Sequence, residues 1–242
     1  MLTDNVTVRY AEKSRDNSVP VWILQNFVQQ TAAVDAHAMS AGWEELSKAG
    51  VAWVLIKIQF EIFSNLQNVS EIKIQTRHIL SDKIKSRRDF IIFDDKGNSA
   101  AKIISWWLIL DLETKKIIRT PSALLGNKSE SLADIQEFAL KEPEYKELTP
   151  VKELKILTRL EDMDLNGHVN NTHFTAWAVE SVPEGIRQNK TLKDLTINFK
   201  NEAKAGEKII VKTYQEKETS FWHILVRDSD SKEIAAVYTN WL

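Results

Sequence analysis

Residues 164 to 183 read Asp164-Leu165-Asn166-Gly167-His168-Val169-Asn170-Asn171-Thr172-His173-Phe174-Thr175-Ala176-Trp177-Ala178-Val179-Glu180-Ser181-Val182-Pro183. Phe174, Trp177, Ala178 and Ser181 recur at i, i+3, i+4 and i+7, the period of a helix with one buried face. Asn170 or Asn171 can cap its first turn by accepting a free backbone N–H, and Pro183 stops it. Ahead of the helix, Asp164, Asn166 and His168 alternate with Leu165 and Gly167. In an extended segment such residues point to one side. The pattern therefore predicts a carboxylate, a carboxamide and an imidazole converging just before a helix N-terminus, which favours negative charge. Asn, Asp and Gly are also ordinary loop residues, and a lone His is commonly structural. Their conjunction on one loop makes the functional reading the better one. Gly167 adds to it by letting a ligand approach the backbone.

Outward from this stretch, the second half reads strand (154 to 157), helix (170 to 182), then strands at 195 to 199, 209 to 213, 222 to 226 and 234 to 241. The first half has the same order. Val6 to Tyr10 predicts a strand, and Pro20 to Met39 a long helix, apolar enough to be buried on most sides. Ile56, Ile58, Phe60 and Ile62 alternate with Lys57, Gln59 and Glu61 in a half-buried strand; Ile72 to His78 continues it, and 90 to 110 predicts a hairpin. IIFDDKGNSAAKIISWW (91 to 107) lies ungapped over LVRDSDSKEIAAVYTNW (225 to 241). The reading is a tandem of α+β repeats, each an antiparallel sheet around a helix: residues 1–125, a linker 126–150, and residues 151–242. Aligning the helix starts sets Lys13, Arg15 and Asn17 opposite Asp164, Asn166 and His168. Aligning Val28-Gln29-Gln30-Thr31 with Val169-Asn170-Asn171-Thr172 sets Ile23, Gln25 and Phe27 there. Neither restores the polar triad, so a reaction centre is expected only in the second half. The first half, with Trp22, Trp43 and Trp53, suits an apolar ligand.

Composition narrows the function classes. The chain has 242 residues, 27% charged and 43% hydrophobic, with a formal net charge of −2. That balance implies no nucleic-acid or membrane partner. No run reaches transmembrane length, and Met1-Leu2-Thr3-Asp4 lacks a signal-peptide pattern, so a cytoplasmic protein is expected. With no cysteine, thiolate nucleophiles, disulfides and zinc–thiolate sites are excluded. The five histidines show no metal-binding spacing, so neither metal nor cofactor is expected.

DxNGHVNN followed by alternating strands resembles the hotdog-fold thioesterases. WVLIKIQFEI (53 to 62), KSRRDFIIFDDKGNSAAKIISWW (85 to 107) and DLETKKIIRTP (111 to 121) make residues 3 to 242 similar to the acyl-ACP thioesterases, with no plastid-type transit peptide ahead. The resemblance implies a tandem (double) hotdog that hydrolyses fatty acyl-ACP to free fatty acid and holo-ACP. Its catalytic residues fall on Asp164, Asn166 and His168, and its further acidic site on Glu202. Plant members carry Glu-Cys at that last position. Here Ala203 replaces the Cys, so a Cys–His–Asn mechanism cannot operate and carboxylate and water chemistry must serve. Asp164 or Glu202 would activate water or attack, Asn166 would fix the geometry, and His168 with the Val169 N–H would polarise the carbonyl oxygen.

Gly167, Val169, Asn170 and Trp22 are the expected substrate-binding residues. Glu180 ranks below Glu202. The carrier in this family is acidic, and Lys83, Lys85, Arg87 and Arg88, the densest basic cluster, are the expected docking site. A homodimer is compatible with the sequence. The competing readings are a hotdog acyl-CoA thioesterase or hydratase, and a non-catalytic acyl-binding protein.

Overall fold

The structure, a computed structural model, describes residues 1–81, 84–120, 132, 135, 137, 145 and 148–242. The chain forms two compact units, Met1–Glu137 and Phe138–Leu242. The expected linker, residues 126–150, falls largely outside the described residues.

In the first unit, strands β1 (Leu2–Thr7), β2 (Val51–Ile62), β3 (Glu71–Ser81), β4 (Ser86–Phe93) and β5 (Ser99–Asp111) pair antiparallel in the order β1-β3-β4-β5-β2, with the short β6 (Ile117–Ile118) on β5. Helix α1 (Val21–Ala38) lies against β1 and β3, and α2 (Trp43–Lys48) against β2. The strand expected at Val6 to Tyr10 sits earlier. A 3-10 turn at Tyr10–Glu12 ends it, because the Glu12 carboxylate accepts the Arg9 N–H at 2.7 Å.

Helix α1 is buried along one face, not on most sides. Val21, Leu24, Gln25, Val28, Thr31, Ala32 and Asp35 are buried, while Val34 and Met39 are 44% and 47% exposed. The inward polar residues are matched. Thr31 donates to Asp4 of β1 at 3.1 Å, and Asp35 pairs with Arg88 of β4 at 2.5 Å. A charged residue inside an apolar run is tolerated where a partner waits for it.

The second unit repeats this topology, with no counterpart of β6 among the described residues. Strands β7 (Lys152–Leu157), β8 (Leu192–Phe199), β9 (Lys208–Lys217), β10 (Ser220–Arg227) and β11 (Glu233–Trp241) pair antiparallel in the order β7-β9-β10-β11-β8. Helix α3 (Asn171–Glu180) packs on β9, β10 and β11, and α4 (Glu184–Asn189) follows it. The Asn170 side chain accepts the Thr172 N–H at 3.1 Å, so Asn170 is the expected cap. Phe174, Thr175, Ala178 and Val179 face the sheet.

Under α3 lies a polar knot. His223 is fully buried, with Nδ1 at 2.9 Å from Ser181 Oγ and 3.0 Å from Thr213 Oγ1, and Nε2 at 3.0 Å from Thr239 Oγ1. The Ser181 hydroxyl donates to Ala178 O and Thr213 donates to Ser181 Oγ, both at 2.7 Å. That arrangement assigns the proton to Nδ1 and makes Nε2 the acceptor. Burial pushes the imidazole pKa down from 6.5 to about 3, so the folded chain keeps it neutral. Below about pH 6.5 the unfolded chain binds a proton that the folded chain refuses. Stability should then fall by about 1.4 kcal/mol per pH unit until the folded-state pKa is reached. Urea unfolding at stepped pH checks this: the stability gap between wild type and His223→Gln should narrow as pH falls.

Candidate active site

The loop before α3 is a closed turn, not the extended segment that alternation predicts. Asp164 N–H donates to His168 O at 2.7 Å, and Gly167 N–H donates to Asp164 O at 3.0 Å. One oxygen of the Asp164 carboxylate accepts the N–H groups of Asn166 (2.8 Å) and His168 (3.3 Å). A carboxylate that can take two amides of its own loop favours a turn over a strand. Gly167 sits at φ +74°, a conformation costly for residues with a Cβ.

In the turn, the three side chains that alternation would align share no partner. Asp164 faces the loop's own amides. Asn166 is exposed, and its carboxamide makes no hydrogen bond among the described residues. His168 Nε2 meets Glu202 Oε2 at 2.9 Å, with side-chain exposures of 28% and 60%. Glu202 comes from the exit of β8 and is tied across the loop by Val169 N–H donating to Ala203 O at 2.8 Å. That bond corrects one expectation. The Val169 amide is spent on Ala203, so it is not a free donor for a carbonyl oxygen. Glu180 pairs with Arg187 at 2.7 Å. It lies at the far end of α3, about 15 Å along the axis from Asn170.

The first unit carries the same loop, in a register that neither sequence alignment found. Ser14 N–H donates to Ser18 O (2.9 Å), Asn17 N–H to Ser14 O (2.9 Å) and Val19 N–H to Asn65 O (3.3 Å). Asn17 takes the positive φ of Gly167, at +63°. Residues 150 apart therefore correspond: Ser14 with Asp164, Asp16 with Asn166, Ser18 with His168. Polar groups are kept, but the imidazole becomes a hydroxyl. At the strand exit, Phe63 and Ser64 share the Ala100 carbonyl as Lys200 and Asn201 share that of Ile234. Since Asn65 stands for Ala203, Glu202 is an extra residue with no counterpart.

Two other expectations change. Arg88 is buried in its pair with Asp35, and Arg87 grips Asp89 through two bonds of 2.7 and 3.0 Å. Lys85 is exposed and Lys83 lies outside the described residues. The cluster at 83 to 88 thus forms no single basic face among the described residues, because β4 alternation turns Arg88 inward. Trp22 is half-buried and does not line the cavity of the first unit. That cavity, about 300 Å³, is bounded chiefly by Ala32, Ala36, Met39, Trp43, Trp53 and Trp107. The indole N–H of Trp53 is fixed on Ala41 O and that of Trp107 on Ser105 Oγ.

Sequence reasoning missed Arg159, Asp162 and His173. Asp162 is 3% exposed, and its carboxylate accepts the Arg159 N–H and Arg159 Nη2, each at 2.8 Å. Its signal was the pair Arg9-Xaa-Xaa-Glu12 and Arg159-Xaa-Xaa-Asp162, which also fixes the correct register.

Residues 1–126 match the acyl-ACP thioesterase N-terminal domain and residues 145–242 the acyl-ACP thioesterase C-terminal domain. The chain belongs to the acyl-ACP thioesterase family. Its fold is that of solved members of this family. An acyl-ACP thioesterase from Bacteroides thetaiotaomicron is similar with a TM-score of 0.89 at 17% identity, over 99% of this chain and 97% of that one. The 12:0-ACP thioesterase from Umbellularia californica is similar at 0.81 and 19%, over 100% and 96%. The tandem hotdog is thereby established as an α+β architecture. Among sequence relatives, a chloroplastic palmitoyl-acyl carrier protein thioesterase of Cuphea hookeriana is 26% identical over 98% of this chain. The chain spans 61% of that relative's length. Among the described residues no group of His, Asp and Glu could hold a metal ion, and no helix is long and apolar enough to cross a membrane.

Proposed function

We propose that this chain hydrolyses the thioester of a fatty acyl group on an acyl carrier protein, releasing free fatty acid and the carrier thiol. The observation that carries the reading is His168 Nε2 at 2.9 Å from the exposed Glu202 carboxylate, on a loop whose tip presents an unengaged Asn166 carboxamide. Relatives named for palmitoyl- and dodecanoyl-carrier hydrolysis support the substrate class.

The chemistry asks little of the site. A thioester lacks amide-like resonance, and its thiol leaving group has a pKa near ~8.5. Glu202 takes a proton from water as the water oxygen attacks the carbonyl carbon. The oxygen that gains charge is met by the Asn166 carboxamide. When the C–S bond breaks, the proton held at Glu202 passes through the His168 imidazole to the thiolate. Asp164 holds the loop amides and leaves this chemistry to Glu202. Gly167 and the Asn170 cap keep the turn and helix start in place. Thiol release from acyl-ACP, acyl-CoA and enoyl-CoA tests the reading: cleavage of acyl-ACP is expected. A hydratase would consume enoyl-CoA without releasing thiol, and a binding protein would release none.

The cavity of the first unit is proposed to hold an acyl chain, on the strength of its alanine and indole lining. Fatty-acid binding should then change the fluorescence of Trp43, Trp53 and Trp107. Ala36→Phe, which fills the space, should weaken that response at least tenfold. A response unchanged in Ala36→Phe would move the chain elsewhere.

A further inference from the structure

The duplicated loop supplies an internal control for what the site needs beyond its fold. Both units make the same backbone turn, and in both a carboxylate three residues on closes the 3-10 turn, Glu12 on Arg9 and Asp162 on Arg159. What differs is the surroundings of that carboxylate. Glu12 is only half-buried, and the position matching His173 is Ile23. Asp162 is buried, doubly held by Arg159, and 4.0 Å from His173 Nε2 in the first turn of α3. Burial holds the His173 imidazole below its ordinary pKa, and the ring stacks on Trp177 at 5.8 Å. The Asp162 carbonyl also accepts the Asn170 N–H at 2.8 Å. Pro20, the residue matching Asn170, has no N–H to give.

Asp162 therefore ties together the loop's entry, its exit and the helix behind it, and everything between those ties is Asp164, Asn166, Gly167 and His168. The first unit folds the same turn without this brace, so the backbone does not require it. We infer that Asp162, walled by His173, is a positioning residue that fixes the His168 loop against Glu202. The inference rests on the function proposed above.

The test compares Asp162→Asn and His173→Phe with Glu12→Gln, all in the full chain, with thermal melts to confirm folding. Asn keeps an oxygen for the Arg159 N–H but turns an amide toward the guanidinium, and Phe keeps the stack on Trp177. Asp162→Asn should lower kcat on acyl-ACP about 10- to 100-fold, the scale of a slight misplacement, with KM within about twofold. His173→Phe should move kcat the same way and less, and Glu12→Gln should leave it unchanged. Independently of turnover, the His168 ring resonances should broaden in Asp162→Asn and stay sharp in Glu12→Gln. Sharp His168 resonances in Asp162→Asn, or equal losses of kcat at Asp162 and Glu12, overturn the inference. Should wild type show no thioester cleavage, the function falls, and the His168 resonances still decide the brace.

Discussion

Glu202→Gln should lower kcat for acyl-ACP hydrolysis about 100- to 10,000-fold, the range for losing a general base, with KM changed only a few-fold. Gln has the same length and its oxygen can still accept from His168 Nε2, which stands at 2.9 Å from Glu202. What it cannot do is take a proton from water. His168→Ala removes the other half of the pair and should cost a similar factor. Because the two act as one unit, the double variant should be no worse than the poorer single variant, as coupled catalytic groups generally behave. Asp164→Asn separates the rival carboxylate from this role. Its oxygen can still accept the Asn166 and His168 amides, so its effect should be clearly smaller than that of Glu202→Gln. Steady-state kinetics on the four variants gives the ranking, and a reversed order would make Asp164 the base.

How much of this was legible in the residues follows from what sets each feature. The period of Phe174, Trp177, Ala178 and Ser181 identified α3 and its cap, because burial of one helix face is a local pattern. The hairpins at β4–β5 and β10–β11 were legible for the same reason. The conformation of residues 164 to 168 was not, since the polar alternation there competes with the Asp164 carboxylate's preference for its own loop amides, and the carboxylate wins.

The correspondence of the two loops was hidden by lengths. Loop residues correspond 150 apart, whereas Ser86 and Ser220, which open the matching hairpins, are 134 apart. Helix α1 has 18 residues where α3 has 10, so no single ungapped register spans both. The basic cluster misled because charge in a one-dimensional string carries no facing. Arg87 and Arg88 are adjacent, yet both are paired with carboxylates, and Asp35 lies 53 residues from its partner.

Asn166→Ala should lower kcat about 100- to 1,000-fold, the usual cost of one oxyanion donor, while the loop persists. The backbone N–H of Asn166 is what binds Asp164 Oδ1, at 2.8 Å, and alanine keeps it. The carboxamide itself is exposed and engaged by nothing among the described residues, so its removal leaves no orphaned partner and stability should hardly move. A donor that matters only when charge develops on the substrate oxygen changes kcat and leaves KM nearly alone. Asn166→Asp sharpens the test. It is close in shape but sets a negative charge where the oxyanion would form, so it should be worse than alanine. If Asn166 merely packed or spaced the loop, the aspartate variant would instead be the milder of the two. Rates for the pair on one acyl-ACP, beside their thermal melts, distinguish an electrostatic role from a structural one.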